Sequence, residues 1–274
     1  MISRGLYEGI VRRALREDAP FGDPFGEAFP GPASGVFLAG GEGVLCGGPV
    51  AVEVFRQVDP SVSVSFVPDG RRVAPGDRVG EASGPAAALL RAERTALNFL
   101  QRLSGIATAT SRFVSLAAPH GTKVLDTRKT TPLLRSLEKY AVRVGGGENH
   151  RFSLSDGILI KENGIRAAGG IGPAVAAARA RAHHLLRVEV EAETLAEVSA
   201  AVEAGADAVL LDNMSPAQVR EAVARFGGRV VLEASGGIHL GNVEEYARTG
   251  VSAVAVGAIT HSAPVLDLSF ELSA

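Results

Sequence analysis

Residues 188–238 read VEVEAETLAEVSAAVEAGADAVLLDNMSPAQVREAVARFGGRVVLEASGGI. Three apolar runs, VEVE, AVLLD and VVLEAS, alternate with two segments of helical period, TLAEVSAAVEAG and SPAQVREAVARF. Val188, Val209, Val231 and Val254 mark successive runs about twenty-two residues apart, the length of one strand-and-helix unit. β-Branched runs separated by amphipathic helices are the pattern of a parallel sheet covered by helices, because a strand buried on both faces keeps no polar face. KVLD, ILIK and AVAVG bring the runs to six. The expected fold is α/β, with an open (incomplete) barrel of parallel strands.

Outward from that core the pattern changes. Residues 1 to about 84 read as a helix followed by short β segments, with VSVSFV in strict alternation and turn signals at Pro68-Asp69-Gly70 and Pro75-Gly76-Asp77. The PGDRV turn resembles biotinyl and lipoyl carriers, but these need a modifiable lysine and none precedes Lys123. From Ser83-Gly84-Pro85 a helix is expected, with Ser83 as N-cap and Gly105 as its end, then a second helical stretch to Ala118. The final VLDLSFEL alternates without a following helix, so residues 265–274 are expected to return to the N-terminal sheet. The domains are therefore read as 1–105 and 106–264.

With 274 residues, 46% hydrophobic and 21% charged, the chain is long enough for a core without disulfides or metal staples, and is not disordered. A net charge of −2 lacks the basic balance of a protein that lives on nucleic acid or anionic lipid, so small-molecule partners are expected. Cys46 is the one cysteine, and no Cys/His cluster has zinc spacing. Arg4, Glu8, Arg12, Arg13 and Arg16 interrupt any signal-peptide core. A reducing, cytoplasmic setting is expected.

The chemistry gathers at strand ends, where the loops of a parallel barrel converge on one mouth. The runs end in Asp126-Thr127-Arg128-Lys129, Lys161, Glu189 and Glu191, Asp212-Asn213, Ser235-Gly236-Gly237 and Gly257. Capping accounts for one charged strand end but poorly for four in succession. Arginine outnumbers lysine twenty-four to four, yet Lys123, Lys129, Lys139 and Lys161 fall within one stretch. Residues 126–161 hold seven Lys/Arg against four acids, and His150-Arg151 follows a glycine-rich turn, an arrangement suited to a carboxylate or phosphate. Glycines in SGG and VGAIT let backbone N–H groups approach a phosphate. Glu191 and Asp212, on neighbouring units, form a carboxylate pair that can hold a cation, bind ribose hydroxyls or do acid/base work.

DTRKTTP (126–132), LEKYAVRVGGGENHR (137–151), LIKEN (159–163), VEVE (188–191), LLDNM (210–214), EASGGI (233–238) and VGAITHSAPVLDLSFEL (256–272), after ERTALNFLQRLSGIAT (93–108), occur in an order and spacing that closely resemble the quinolinate phosphoribosyltransferase family. The resemblance runs from about Val36 to the end. It implies an N-terminal α/β sandwich covering the open barrel of a second subunit, in a homodimer with shared active sites; assembly beyond a dimer is left open. It implies that Arg94 is donated across the interface to quinolinate, and that Thr127, Arg128, His150, Arg151 and Lys161 complete that pocket. Lys129 would lie between the substrates. Glu191, Asp212 and Asn213 would face the ribose and metal of phosphoribosyl pyrophosphate, and Ser235, Gly236, Gly237, Gly257 and His261 its phosphates. The implied catalytic set is Lys129, Lys161, Glu191 and Asp212. The implied cofactor is Mg²⁺, carried largely by phosphoribosyl pyrophosphate and met by Glu191 and Asp212.

Two positions depart from the family pattern. Glu162-Asn163-Gly164 replaces its usual Asp-Asn-His after Lys161, and Gly22-Asp23-Pro24-Phe25 replaces its N-terminal motif, so no site residue is assigned before Arg94. His120, His183, His184, His239 and Cys46 are read as structural or solvated. A molybdenum-transport-associated relative of the same fold is disfavoured by the lysine kept in LIKEN. A silent metabolite-binding module is disfavoured because cationic, acidic and glycine positions all survive together.

Overall fold

The computed structural model describes residues 2–29 and 31–273. Along the chain run helix α1 (Glu8–Asp18), strands β1 (Pro32–Ala39) and β2 (Gly43–Val44), helix α2 (Gly48–Val58), strands β3 (Ser63–Phe66), β4 (Arg72–Val73) and β5 (Arg78–Pro85), and helix α3 (Ala86–Ala117). Then come β6 (Lys123–Leu125), α4 (Arg135–Val144), β7 (Ile158–Ile160), α5 (Glu162–Ala168), α6 (Ile171–Arg181), β8 (Val188–Ala192), α7 (Leu195–Glu203), β9 (Ala208–Asp212) and α8 (Pro216–Phe226). The chain closes with β10 (Val231–Ser235), α9 (Val243–Ala247), β11 (Ala253–Ala255), α10 (Ala258–His261) and β12 (Leu268–Ser273). Two compact units result: Met1–Ser111 with Thr130–Gly146 and Ile259–Ala274, and Arg112–Lys129 with Gly147–Ala258.

The first unit is built on an antiparallel sheet in the order β12-β1-β5-β3. Alternation puts Phe37 of β1 and Phe270 of β12 on one face, where their rings lie 4.5 Å apart by centroid. Phe66 (4.8 Å) and Phe55 of α2 (6.0 Å) pack on the same Phe37 ring, so an aromatic cluster seals this core.

Two local expectations fail here. Ser83 is not an N-cap but a strand residue of β5, paired with Ser34 on one side and Ser63 on the other. Gly105 does not end a helix but lies inside α3. A Cβ there would meet the Pro264 carbonyl and come within 2.9 Å of Val265 Cα, so the missing side chain allows a close backbone crossing.

Residues 130–146, which the sequence places in the barrel, group with the first unit. Glu138 of α4 is fully buried and accepts from Arg102 of α3 at 2.8 Å, and the Tyr140 hydroxyl donates to Asp69 at 2.7 Å. Cys46 is buried in this unit, and burial pushes its thiol pKa up, which makes it inert.

The second unit is the open barrel that the run pattern predicts. Its six strands are all parallel, in the order β6-β11-β10-β9-β8-β7. Val190, Val209, Leu211, Ala234 and Val254 are fully buried. Ladder register decides what points the other way: Glu191 pairs with Leu210, Leu210 with Glu233, and Asp212 with Ser235. Residues at matching positions in a parallel ladder point to the same face, so these side chains share one side of the sheet. Capping boxes at Thr194/Glu197 and Ser215/Gln218 start α7 and α8 just after the functional strand ends. Among the described residues, no helix is long and apolar enough to cross a membrane.

Candidate active site

The strand ends of the second unit surround a cavity of about 590 Å³. Twelve of the residues named from the sequence line it: Thr127, Arg128, Lys129, His150, Arg151, Lys161, Glu191, Asp212, Asn213, Ser235, Gly236 and Gly237. Gly257 follows β11, whose Ala255 also lines the cavity. Arg94, exposed on α3, and His261, at the end of α10, belong to the other unit.

Asp126 organises the cationic wall. It is fully buried beyond the end of β6, and its carboxylate accepts the backbone N–H of His150 at 2.9 Å and the Asn149 amide at 2.6 Å. Glu148 bridges to the β6 edge, its N–H donating to the Val124 carbonyl at 2.8 Å. The glycine-rich segment is thus stitched to the sheet, and His150 and Arg151 emerge in a fixed direction. Arg151 is held further by Nη1 donating to the Gly157 carbonyl at 2.9 Å. Burial, then the neighbouring Arg128 charge, lowers the pKa of the Arg151 guanidinium. Two cations held this close favour an anion between them. The Lys129 N–H donates to Thr127 Oγ1 at 3.0 Å and shapes the turn that carries Arg128.

Elsewhere on the rim, beyond β9, Asn213 has left-handed backbone (φ 54°), and its N–H donates to the Ser235 carbonyl at 2.9 Å. Gly236 (φ 89°) packs so closely that a Cβ would lie 2.8 Å from the Asn213 nitrogen. The β9 and β10 loops therefore meet closely, through the Asn213 N–H to Ser235 carbonyl bond and the Asn213 side chain against Gly236. Lys161 Nζ donates to Glu191 Oε2, linking the neighbouring ends of β7 and β8.

Beside His150 and Glu189, both noted in the sequence, lies a carboxyl that the sequence did not single out, Glu233. His150 Nε2 donates to Glu189 Oε2 at 2.9 Å and lies 3.7 Å from Glu233 Oε1. The Arg151 N–H donates to His150 Nδ1 at 2.7 Å, so the ring proton sits on Nε2. Glu233 lines the cavity yet is only 4% exposed, and its Oε1 has no hydrogen-bond partner. Burial, then the Glu189 charge, pushes its carboxyl up to about 8. Glu233 was hidden inside the apolar run VVLEAS. Its signal is parity: it lies two residues before Ser235, on the same face.

Metal capacity divides between two places. Among the described residues, one cluster of three ligand-type side chains converges within 4.8 Å: His150, Glu189 and Glu233. Its imidazole Nε2 carries the ring proton, so that nitrogen is not available as a ligand. Glu191 and Asp212, from the adjacent strands β8 and β9, line the open cavity with carboxylates, hard oxygen donors of the kind a divalent cation takes.

The departure at Gly164 is also visible. Arg128, Arg151 and Lys161 border a second hollow of about 470 Å³ with Gly164, Ile160 and Leu154. A Cβ at Gly164 would meet only Ile160 Cγ2, at 3.6 Å.

The chain matches two domains described as quinolinate phosphoribosyl transferase, the N-terminal domain over residues 29–104 and the C-terminal domain over residues 106–271. A probable nicotinate-nucleotide pyrophosphorylase [carboxylating] of Bacillus subtilis (strain 168) is 43% identical over 274 residues, covering 100% of this chain and 92% of the relative. The Homo sapiens nicotinate-nucleotide pyrophosphorylase [carboxylating] is 42% identical, covering 97% and 91%. The solved nicotinate-nucleotide pyrophosphorylase from Francisella tularensis superposes with a TM-score of 0.96 at 40% identity, covering 100% of this chain and 98% of that one.

Proposed function

The chain belongs to the quinolinate phosphoribosyl transferase family, and from that premise we propose that it transfers phosphoribose from phosphoribosyl pyrophosphate to quinolinate with loss of CO₂. The products are nicotinate mononucleotide, pyrophosphate and CO₂, a carboxylating pyrophosphorylase reaction of NAD biosynthesis. One observation carries the reading: a single cavity is lined both by Arg128, Lys129, Arg151 and Lys161 and by Glu191, Asp212, Ser235, Gly236 and Gly237.

A pyridine with two adjacent carboxylates needs several fixed cations, and planar guanidiniums match carboxylates in geometry. With the diacid held on the cationic wall, its ring nitrogen attacks ribose C1. The bond from C1 to the pyrophosphate oxygen breaks, and its electron pair leaves with pyrophosphate. Glu191 and Asp212 offset the positive charge that develops on the sugar. The ring is then a pyridinium, so when the C2–carboxylate bond breaks its electron pair is stabilised beside the positive nitrogen until C2 takes a proton. Glu191 and Asp212 would hold Mg²⁺, which when bound supplies neutralisation of the leaving group's charge.

In this reading two copies share each site, with Arg94 donated by one subunit to the diacid bound in the other. Calorimetric titration of the protein with quinolinate and separately with nicotinate tests the cationic wall. The diacid is expected to bind and the monoacid to bind at least tenfold more weakly. Equal affinity would overturn the assignment of the wall.

A further inference from the structure

We propose that Glu233 works as a neutral carboxylic acid in the floor of the cavity, and that binding of the diacid requires its proton. This rests on the substrate reading above. His150 has one ring N–H, because Nδ1 accepts from the Arg151 backbone at 2.7 Å, and that N–H is given to Glu189 at 2.9 Å. Glu233 Oε1, at 3.7 Å from the same nitrogen, is left without a donor. A buried ionised carboxylate with no donor is strongly disfavoured, whereas a protonated one removes the charge.

The surroundings act in the same direction. Glu189 reaches the group from β8 and Asp126 from the segment after β6, and both are acids; His150 is the opposing group. The ladder partners of Glu233, Leu210 on β9 and Ala253 on β11, bring no charge. Burial and these acids raise its pKa to about 8, so the proton is present at neutral pH. A metal in place of the proton is disfavoured, since Nε2 could ligate only if Nδ1 carried the hydrogen that its acceptor role forbids. A dianion entering the cavity adds two negative charges above the carboxyl, which holds the proton more tightly in the complex than in the free protein.

The test is calorimetric titration of the full chain with quinolinate between pH 6.5 and 9.5, in paired buffers of different ionisation enthalpy. Wild-type protein is expected to take up almost no proton at the low end and to approach one per site at the high end. Its affinity should fall about tenfold per pH unit above the midpoint. Glu233→Gln keeps a neutral side chain that cannot titrate, so uptake should vanish and the affinity curve flatten; Glu233→Met serves if circular dichroism shows the amide variant unfolded. Wild-type binding without uptake, or uptake that persists in the variant, overturns the proposal. Absence of quinolinate binding at every pH overturns the substrate reading instead.

Discussion

Lys161 Nζ is hydrogen-bonded to Glu191 Oε2 between the neighbouring ends of β7 and β8, at the mouth of the cavity. The lysine is more than half exposed, so the pair contributes little to stability, and its meaning is functional. Each member occupies the other's charge until substrates compete for both.

Removing Glu191 therefore frees Lys161 for the diacid. Glu191→Ala should lower kcat by about a hundredfold or more while the KM for quinolinate stays level or falls. Steady-state kinetics with each substrate varied in turn checks this. A large rise in the quinolinate KM with kcat preserved would move Glu191 to the diacid.

The meeting of the β9 and β10 loops predicts an asymmetry between adjacent glycines. Gly236→Ala combines left-handed backbone with a collision at Asn213, and should cost about 1–3 kcal/mol and weaken phosphoribosyl pyrophosphate binding. Gly237 (φ 61°) has open space at its Cβ position, so Gly237→Ala should be milder. Chemical denaturation of both variants decides, and equal losses would contradict the packing.

In the first unit, Glu138 is fully buried and takes hydrogen bonds from Arg102 and from both the N–H and hydroxyl of Thr131. Arg102→Ala leaves that charge without its cation, at a cost of about 3–5 kcal/mol. The double variant Arg102→Met/Glu138→Leu should recover most of the loss in urea denaturation. No recovery would mean that the arginine's bonds to the Thr260 and Ala263 carbonyls dominate.

Stability should also depend on pH through Glu233. Its folded pKa is raised to about 8 from the ordinary 4.5, so the folded state binds the proton more tightly than the unfolded chain. The associated stabilisation is fully present below pH 4.5 and is lost as pH rises through 8. Glu233→Gln lacks this loss, and its Tm relative to wild type should rise between pH 5 and pH 9. A constant difference would show that the carboxyl titrates normally.

The proposed sharing of each site by two copies predicts complementation. Arg94→Ala and Lys129→Ala variants should each be nearly inactive, while a mixture allowed to exchange subunits should regain activity through hybrids with one intact site. Absence of recovery, with exchange verified by native mass spectrometry, contradicts donation of Arg94.

The parallel sheet was legible because strands buried on both faces spell continuous apolar runs, and the site because a parallel barrel delivers every strand's C-terminal end to the same mouth. Thr127, Lys161, Glu191 and Asp212 are therefore visible as polar breaks where runs stop. Glu233 was not, since it interrupts a run from within and needs the ladder register to show which way it points. Ser83 and Gly105 misled for a related reason. Serine before proline signals a cap and glycine an end only when no tertiary partner overrides them; here strand pairing takes Ser83 and a backbone crossing uses Gly105. The grouping of residues 130–146 with the first unit depends on Arg102 meeting Glu138, thirty-six residues apart, which no local pattern encodes.

The central claim is that one cavity joins a diacid to a phosphosugar and expels a carboxylate. It is tested most directly by supplying the protein with quinolinate labelled at the 2-carboxylate, phosphoribosyl pyrophosphate and Mg²⁺, and measuring labelled CO₂, pyrophosphate and nicotinate mononucleotide together. The account predicts equal amounts of all three, with none formed when either substrate is withheld. Folded protein that yields no mononucleotide, or pyrophosphate without matching CO₂, would contradict it.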